Sequence, residues 1–491
     1  MIRRISPLFV ALLFACAALG RDEYTRTFDK TIAVHAGVRI LLEHKLGDIT
    51  IHTHNSPEVV IHADIRVSAR NQQDAKTLAD RIDILIDSSA SGLSIRTRYP
   101  ERPDSFFGSN NTSYSVRYDV AVPESSPLDV HNSFGAVSVS GVKANSTITN
   151  SHGDLVFRDG QGTQRLDNSF ARIEVSNNVG DVTLENSNGA VDVKDVKGAV
   201  SIHNRFASVT VAHASNGVRV MNSNGAVLVT DSGGIGNVKN SFGEVRANTF
   251  HGDLSVSNSN ARVEATDVDG AADLNTSFGE VRFSNIGRQL SVRSNNGKVE
   301  GSRVGGSINV VNSFGQVTVR DIQGSAHVES GNSGVTISGV KEDARVKTSF
   351  GTVDASNIGG LLTVENANGS VKASNVKGAQ ITTSFGAVVL DSVNGGIQVE
   401  NQNGAVDATS NLQGVCQPIT IRTSFSAIRV RLSVDASYRV QARTSFGKIR
   451  SDFPINVMGS MSSDELSGTI GGGHCEMRLT DNNGAIEILK H

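Results

Sequence analysis

The sequence predicts an all-β solenoid, in which the chain winds into 18-residue coils and ends in β-rich caps. Three observations predict this fold. Aliphatic residues recur every 18 positions, apolar and polar residues alternate inside each repeat, and glycines return at the same places of most repeats. The composition agrees, because 49 glycines, 8 prolines and no tryptophan in 491 residues are typical of many short strands joined by tight turns.

The aliphatic repeat is the strongest of the three observations. Starting at Val137 and stepping by 18, fourteen consecutive positions hold only Val, Ile or Leu, and a second column that starts at Ile148 repeats in the same way. One 18-residue coil cannot bury its own apolar face, so successive coils must stack and share a continuous interior. The prediction is therefore that Val191, Val209 and Val227 lie directly above one another.

Inside one coil, the residues alternate with a period of two. In residues 189–206, Val191 and Val193 face one side, while Asp192 and Lys194 face the other. This alternation is typical of strands with one buried face. Each coil is thus expected to contain two clear short strands, with glycines at the corners where the backbone needs a positive φ or a close approach.

One corner carries an aromatic pattern. From coil to coil, phenylalanine alternates there with a polar residue that is nearly always asparagine, so the full repeat is a 36-residue unit, and the register slips by one position before Phe385. The regular phenylalanines, which we call the Phe stripe, are Phe170, Phe206, Phe242, Phe278, Phe314 and Phe350. Two interpretations remain open: a binding stripe for sugar rings or a partner groove, and packing of each ring against the asparagine of the next coil.

Four segments follow from where the repeat begins and ends. They are a signal peptide over residues 1–20, an N-terminal β-rich cap over 21–130, a β-helix of 18-residue coils over 131–412, and a C-terminal β cap over 413–491. Caps are expected because a solenoid exposes edge strands at both ends. A short helix is predicted over residues 71–85.

The N-terminus predicts export. Two arginines precede an almost wholly apolar stretch over residues 5–19, and the small residues Ala18 and Gly20 suit cleavage by a signal peptidase. An alternative is a lipoprotein signal, in which Cys16 would be the lipidated residue. Either interpretation sends the chain to the periplasm, the outer surface or the extracellular space.

The mature chain would keep two cysteines, Cys416 and Cys475. Export to an oxidising compartment favours a disulfide between them, and two buried free thiols are the alternative. No CxxC motif or Cys/His cluster points to a metal.

Two polar columns are expected to hold the coils in register. Asparagines such as Asn186, Asn222 and Asn258 are predicted to hydrogen-bond along the stack as ladders, with glycan binding as an alternative role. Beside the Phe stripe, the outward residues Glu244, Arg262, Glu280 and Lys298 alternate in charge across successive coils. Such neighbouring opposite charges attract modestly, by about 0.2–1 kcal/mol, and disfavour strand slippage.

Composition and motifs also argue against several classes of function. A formal net charge of -3 and a pI near 6.5 give no electrostatic footprint for nucleic acid. No cofactor motif is recognised, and the only membrane attachment we expect is a lipid at Cys16. A carbohydrate-active β-helix enzyme, lyase-like or glycosidase-like, remains the alternative function. It would need two carboxylates or a calcium cluster on one patch, and the acidic residues are scattered.

The turns resemble a known family. The NSFGxVxV and NSNGxVxV turns, the segment Val122-Pro123, and the ending over residues 468–473 followed by 483–486 are similar to the bacterial putative-adhesin family, a family of unknown function with β-helix repeats. The similarity covers most of residues 35–490. It implies an exported, right-handed β-helix without a defined catalytic activity.

The resulting functional hypothesis is a non-catalytic, exported cell-envelope rod that acts as an adhesin-like or scaffold protein. Its expected partner is a surface glycan or an envelope protein. The sequence does not give the oligomeric state, and the handedness of the coil is implied only by the resemblance.

Overall fold

The computed structural model describes residues 21–89, 91–100, 112–458 and 462–491. It is an all-β structure with one short helix among these residues, and it divides into two compact units, Met1–Asp154 and Leu155–His491. The predicted fold class is confirmed, because parallel strands pair in an 18-residue register. No helix in the described ranges is both long and apolar enough to cross a membrane.

The first unit combines antiparallel strands with short parallel ones. Its elements are β1 (Asp22–Ala33), β2 (Ile40–Glu43), β3 (Ile49–His54), β4 (Glu58–Ala69), α1 (Gln72–Ala79), β5 (Asp83–Ser89), β6 (Gly92–Arg98), β7 (Ser113–Pro123), β8 (Leu128–His131), β9 (Val137–Ser140) and β10 (Ser146–Asn150). Strand β4 pairs antiparallel with both β1 and β7, while β2 lies in parallel between β6 and β8. Solenoid-like parallel pairing therefore occurs inside the segment predicted as the N-terminal cap.

The predicted helix over 71–85 is only half right. It begins after its N-cap residue Asn71, whose side chain accepts a hydrogen bond from the Asp74 amide, and it ends at Ala79. Residues 83–85 belong instead to β5, which pairs antiparallel with β6. The reason is that three of the five residues from Ile82 to Ile86 are β-branched isoleucines, which favour a strand, and a partner strand is adjacent.

The second unit consists of stacked coils, most of which contribute two strands. The strands up to residue 258 are β11 (Leu155–Gln161), β12 (Gln164–Asn168), β13 (Ile173–Val179), β14 (Val182–Asn186), β15 (Val191–Lys197), β16 (Val200–Asn204), β17 (Val209–Ala214), β18 (Val218–Met221), β19 (Val227–Asn240) and β20 (Val245–Asn258). Those up to residue 385 are β21 (Val263–Val268), β22 (Ala272–Thr276), β23 (Val281–Ile286), β24 (Leu290–Ser294), β25 (Val299–Val304), β26 (Ile308–Asn312), β27 (Val317–Ile322), β28 (Ala326–Ser330), β29 (Val335–Val340), β30 (Ala344–Phe350), β31 (Val353–Asn368) and β32 (Val371–Phe385). Strands β19, β20, β31 and β32 each continue through the bend that separates the two shorter strands in most other coils.

The stacking has the predicted register. Val191 pairs with Val209, and Val209 pairs with Val227, in successive parallel strands. All three side chains are buried, as are the other valines and leucines of both aliphatic columns in this unit. Each fully buried aliphatic side chain contributes about 1.5–3 kcal/mol, so these columns supply the main driving force for folding.

One coil is shorter by a single position. Ile358 pairs with Val376 in the regular 18-residue register, but Leu361 pairs with Gly378, one position short of it. The slip that the sequence indicates before Phe385 therefore takes place at the bend after Ile358. The parallel ladder absorbs it without losing its later pairs.

The last part of the chain leaves the regular winding. Its strands are β33 (Val388–Val393), β34 (Ile397–Asn403), β35 (Val406–Ser410), β36 (Ile419–Arg422), β37 (Ile428–Leu432), β38 (Tyr438–Arg443), β39 (Ile449–Ser451), β40 (Asn456–Val457), β41 (Glu465–Ile470), β42 (Cys475–Thr480) and β43 (Ile486–Lys490). Strands β36 and β37 continue the stack, pairing with β34 and β35 on one side and with β42 and β43 on the other. Strand β38 also pairs antiparallel with β41, a pattern absent from the described coils before it in this unit.

Candidate functional site: the Phe stripe and its corner

The Phe stripe lies on one corner of the second unit. At this corner Phe206 bridges Asn224, and Asn224 bridges Phe242, in parallel. Backbone amides at this corner donate to carbonyls of the preceding coil, for example from Phe242 to Ser223 at 2.8 Å. The column is therefore fixed at one ring every two coils, a spacing of about 9.6 Å.

All six rings of the stripe are exposed. Their exposed fractions lie between 50% and 60%, in a chain whose other apolar side chains are mostly buried. Phe385, which lies beyond the one-residue shift in the register, is exposed to the same degree. Rings about 9.6 Å apart are too distant to stack on one another. The intervening asparagines occupy the column between them, as the packing interpretation requires, but they do not bury the rings.

The turn is held from inside by a second asparagine column, two positions before the corner. Asn240 is 5% exposed, and its Nδ2 donates to the carbonyls of Gly225 at 3.0 Å and of Gly243 at 2.9 Å. Gly243 is in the same coil and Gly225 in the preceding one. One amide therefore clamps two successive turns.

The Asn186, Asn222 and Asn258 side chains bond in the same way. Asn186 donates to the Ala171 and Gly189 carbonyls, both at 3.0 Å. The hydrogen bonds run along the stack as predicted, but their acceptors are backbone carbonyls and not neighbouring asparagines. The reason is the corner geometry, since the turning backbone directs its carbonyl oxygens toward the amide.

Close approach of the turns explains the glycine that follows the corner residue. Gly243 has a φ of +107°, and a Cβ built there would lie 2.3 Å from the Gly225 carbonyl oxygen. A side chain at this position would strain the backbone and push the coils apart.

The exposed asparagines between the rings stay close to the backbone. The Nδ2 atoms of Asn224 and Asn260 donate to the carbonyls of Arg205 and Ser241, at 3.3 and 3.1 Å. The amide oxygens of this pair accept no hydrogen bond from the described residues. The corner thus presents apolar rings in alternation with amide acceptors.

Three of the four residues of the charged column beside the stripe pair across coils as predicted. Arg262 lies 3.4 Å from both Glu244 and Glu280, in the coils before and after it. Lys298 pairs instead with Glu300, two residues further along the same coil, at 2.7 Å. These partly exposed ion pairs are weak individually, but they neutralise the strip next to the rings.

A second polar row was not found from the sequence. Many coils of the second unit have a residue with positive φ near the end of their first strand, often Asp or Asn. In its central part, the row residue His213 contacts Asp195 at 2.7 Å and Asp231 at 3.4 Å. His251, two positions after the row residue Thr249, also contacts Asp231, at 3.1 Å. The signal was available, since Asp and Asn tolerate this conformation and recur there at the 18-residue step.

Neighbouring carboxylates favour the charged form of His251, which lies two positions after the row residue Thr249. Hydrogen bonds to Asp269 and then to Asp231 raise the pKa of His251. The groups are largely exposed, so the effect on stability is small. No cluster of three or more His, Cys, Asp or Glu side chains within the described ranges is suited to hold a metal ion.

The cysteines for which the sequence predicts a role lie in two different parts of the chain. Cys416 and Cys475 are joined by a disulfide, with Cα atoms 5.8 Å apart, which ties the segment before β36 to the start of β42. The signal peptide over residues 1–20, with Cys16, lies outside the described residues.

Comparison with known proteins adds little to this description. No family model matches the chain, and no curated protein matches it. Among solved structures, the chain is similar to a "putative cell adhesion protein" from Clostridium sporogenes, at 7% identity and a TM-score of 0.15, over 95% of this chain and 100% of the other. At that score the two folds do not superpose as wholes, and the likeness carries no functional argument.

Proposed function

We propose that the protein is a non-catalytic, exported envelope protein that binds a surface partner through the Phe stripe. The observation that carries this proposal is the stripe itself: six half-exposed rings repeat on one corner of a rigid stack. Single exposed apolar side chains are normal on a protein surface, but an extended row of exposed rings on one corner is typical of an interaction site.

Export is supported by the disulfide. A bond between Cys416 and Cys475 persists in an oxidising compartment and is rare in the cytosol. The sequence of residues 1–20 agrees with this location.

A binding role is favoured over catalysis by the chemistry of the surface. The Phe-stripe corner is lined by rings, amides and hydroxyls, and the neighbouring carboxylates of Glu244 and Glu280 are paired with arginine. A glycosidase needs two carboxylates facing one bond, with at least one of them free to transfer a proton. The paired acids beside the stripe are poorly suited to that task.

Binding of the full chain to intact bacterial cells and envelope fragments tests the proposal. We expect binding that falls at least about tenfold in Phe242→Ala/Phe278→Ala. The matched control is Ile235→Ala/Val179→Ala, which removes two exposed apolar side chains from a different part of the coil and should bind normally. Circular dichroism should show both variants folded, since neither changes a buried residue.

Two outcomes would count against this function. Equal binding by the Phe variant and the parent chain would mean that the stripe is not the contact surface. Absence of binding to any cell or fragment would favour a purely structural scaffold, while hydrolysis or elimination of an envelope polysaccharide would favour the enzyme.

A further inference from the structure

We infer that the Phe stripe binds an extended, neutral β-1,4-linked polysaccharide, with one ring against every second sugar. The inference rests on the proposed function and adds the ligand class. It depends on three features of the corner: the distance between rings, the groups between them, and the length of the stripe.

The distance between rings matches the geometry of such a glycan. Two coils separate consecutive rings, which gives about 9.6 Å. In an extended β-1,4-linked chain each sugar is turned over relative to the one before it, so every second sugar presents the same face. That repeat is close to the ring spacing, and a helical α-1,4-linked chain has no straight repeat of this kind.

The spacing is built into the backbone. Amide-to-carbonyl bonds of 2.8–2.9 Å from Phe206, Phe242 and Phe278 to the preceding coil hold each ring position. The buried amide of Asn240 adds a clamp across two turns. Because the rings are positioned before a ligand arrives, little ordering entropy is lost on binding.

The groups between the rings suit a hydroxyl-rich, uncharged ligand. Asn224 and Asn260 use their Nδ2 atoms on the backbone, which leaves the amide oxygens to accept hydrogen bonds from sugar hydroxyls. In the adjacent column, Arg262 forms ion pairs with Glu244 and Glu280, so these charges neutralise one another. Aromatic faces with neighbouring amide acceptors match the apolar faces and polar rims of pyranose rings.

The length of the stripe makes binding multivalent. From Phe170 to Phe350 the stripe spans ten coils, about 48 Å. Each ring adds a weak contact to a chain that is already held, so affinity should rise with the number of sugars until the glycan is as long as the stripe.

The test is calorimetric titration of the full chain with β-1,4-linked glucose and N-acetylglucosamine oligosaccharides of increasing length, with α-1,4-linked glucose oligosaccharides as the contrast. We expect affinity to rise by about tenfold or more as the length increases from two to eight sugars, and no binding of the α-linked series. Pull-down on cellulose and chitin provides a second readout with the same expectation.

A variant that exchanges two corner residues tests whether binding depends on the spacing of the rings or only on their number. Phe242→Asn/Asn260→Phe keeps the number of rings but moves one ring by a single coil. We expect it to lose as much affinity as Phe242→Ala, whereas a nonspecific apolar patch would bind equally before and after the swap. Equal binding would overturn the inference.

Failure of this inference can be told from failure of the proposed function. Binding to cells or envelope fragments that depends on Phe242 and Phe278, without binding to any β-1,4-linked oligosaccharide, would refute the ligand class and leave the proposed function intact. Absence of both kinds of binding would refute both.

Discussion

Single side chains in this protein act on two coils at once, and the buried asparagine column shows this best. Asn240 donates to the carbonyls of Gly225, Phe242 and Gly243. Some coils place threonine there instead, and Thr348 donates through its hydroxyl to the Phe350 carbonyl at 3.1 Å. A short polar donor, and not asparagine as such, is therefore the requirement of the turn.

We predict that Asn240→Ala destabilises the second unit by about 3 kcal/mol, because buried carbonyls lose their donor. Asn240→Thr should recover a large part of this loss. Hydrogen exchange of the amides in β19 and β20 measures the local effect. Asn224→Ala, at an exposed corner position, serves as control and should stay within about 0.5 kcal/mol of the parent chain. An Asn240→Ala variant as stable as the control would show that the clamp is dispensable.

A buried histidine gives the first unit a pH dependence. His44 is 4% exposed and contacts the Thr97 hydroxyl at 2.9 Å and the Tyr99 hydroxyl at 3.2 Å. Burial lowers the pKa of His44 to about 4, despite opposing hydrogen bonds to the backbone. Below pH 6.5 the unfolded chain therefore binds a proton that the folded unit does not.

We expect this proton to remove about 3 kcal/mol of stability from the first unit as the pH falls from about 6.5 to 4, and nothing above that window. Urea unfolding followed by tyrosine fluorescence measures it, since four of the five tyrosines lie in this unit and tryptophan is absent. In His44→Leu the additional loss between pH 6.5 and 4 should disappear. An unchanged pH profile would mean that His44 is protonated in the folded unit.

At the scale of strands and turns, the fold was largely predictable where the sequence repeats. The strands around Val191 and Val209 could be placed because alternation and the 18-residue step agree on the same residues. The end of α1 could not, since β5 is chosen by its partner β6 and not by a repeat. The backbone carbonyls that accept from Asn186 were missed for a similar reason. The periodicity of side chains along the sequence does not indicate where a backbone carbonyl points at a turn.

The site was predictable only in part. The positions of the rings in the Phe stripe followed from the 36-residue repeat, but their exposure depends on the corner turning outward. The row of positive-φ residues that includes His213 was missed, although its Asp and Asn members recur at the 18-residue step. Attention to residues that tolerate a positive φ would have found it.

The turn that follows Phe242 leaves no room for a side chain at Gly243. We predict that Gly243→Ala destabilises the stack by about 1–3 kcal/mol, because its φ is +107° and its Cβ would meet the Gly225 carbonyl oxygen. Gly396→Ala is the matched control. Its Cβ meets nothing closer than 3.6 Å, so its effect should stay within about 0.5 kcal/mol. Thermal unfolding compares the two, and equal midpoints would show that the turns can separate at little cost.

At the scale of the whole chain, the disulfide closes a loop that carries the departure from regular winding. Cys416 and Cys475 are 59 residues apart in sequence. A crosslink across such a loop restricts the unfolded chain and contributes about 4 kcal/mol by the loop-entropy relation. We expect Cys416→Ala/Cys475→Ala to lose about this amount in urea unfolding, and the parent chain to match the variant after reduction. A variant as stable as the oxidised parent would indicate that the end of the stack holds without the crosslink.

The modular stack also allows the 36-residue unit to be tested by removing coils. Each coil contacts only its neighbours, so deletion of whole coils should leave a folded second unit. Deleting residues 243–278 removes two coils together with Phe278 and places Phe314 two coils after Phe242. The five remaining rings then keep their two-coil spacing. Deleting only residues 243–260 brings Phe242 and Phe278 onto adjacent coils and splits the stripe into two sets of three rings.

The smaller deletion is therefore expected to have the larger effect on binding. We predict that the two-coil deletion keeps affinity for β-1,4-linked oligosaccharides within about threefold of the parent chain, whereas the one-coil deletion loses about tenfold or more. Circular dichroism and protease resistance check that both deletions fold. If affinity instead followed the length of chain removed, the spacing of the rings would be irrelevant to binding. The 36-residue repeat would then serve only the packing of the corner, where a small asparagine between two phenylalanines keeps neighbouring rings from clashing.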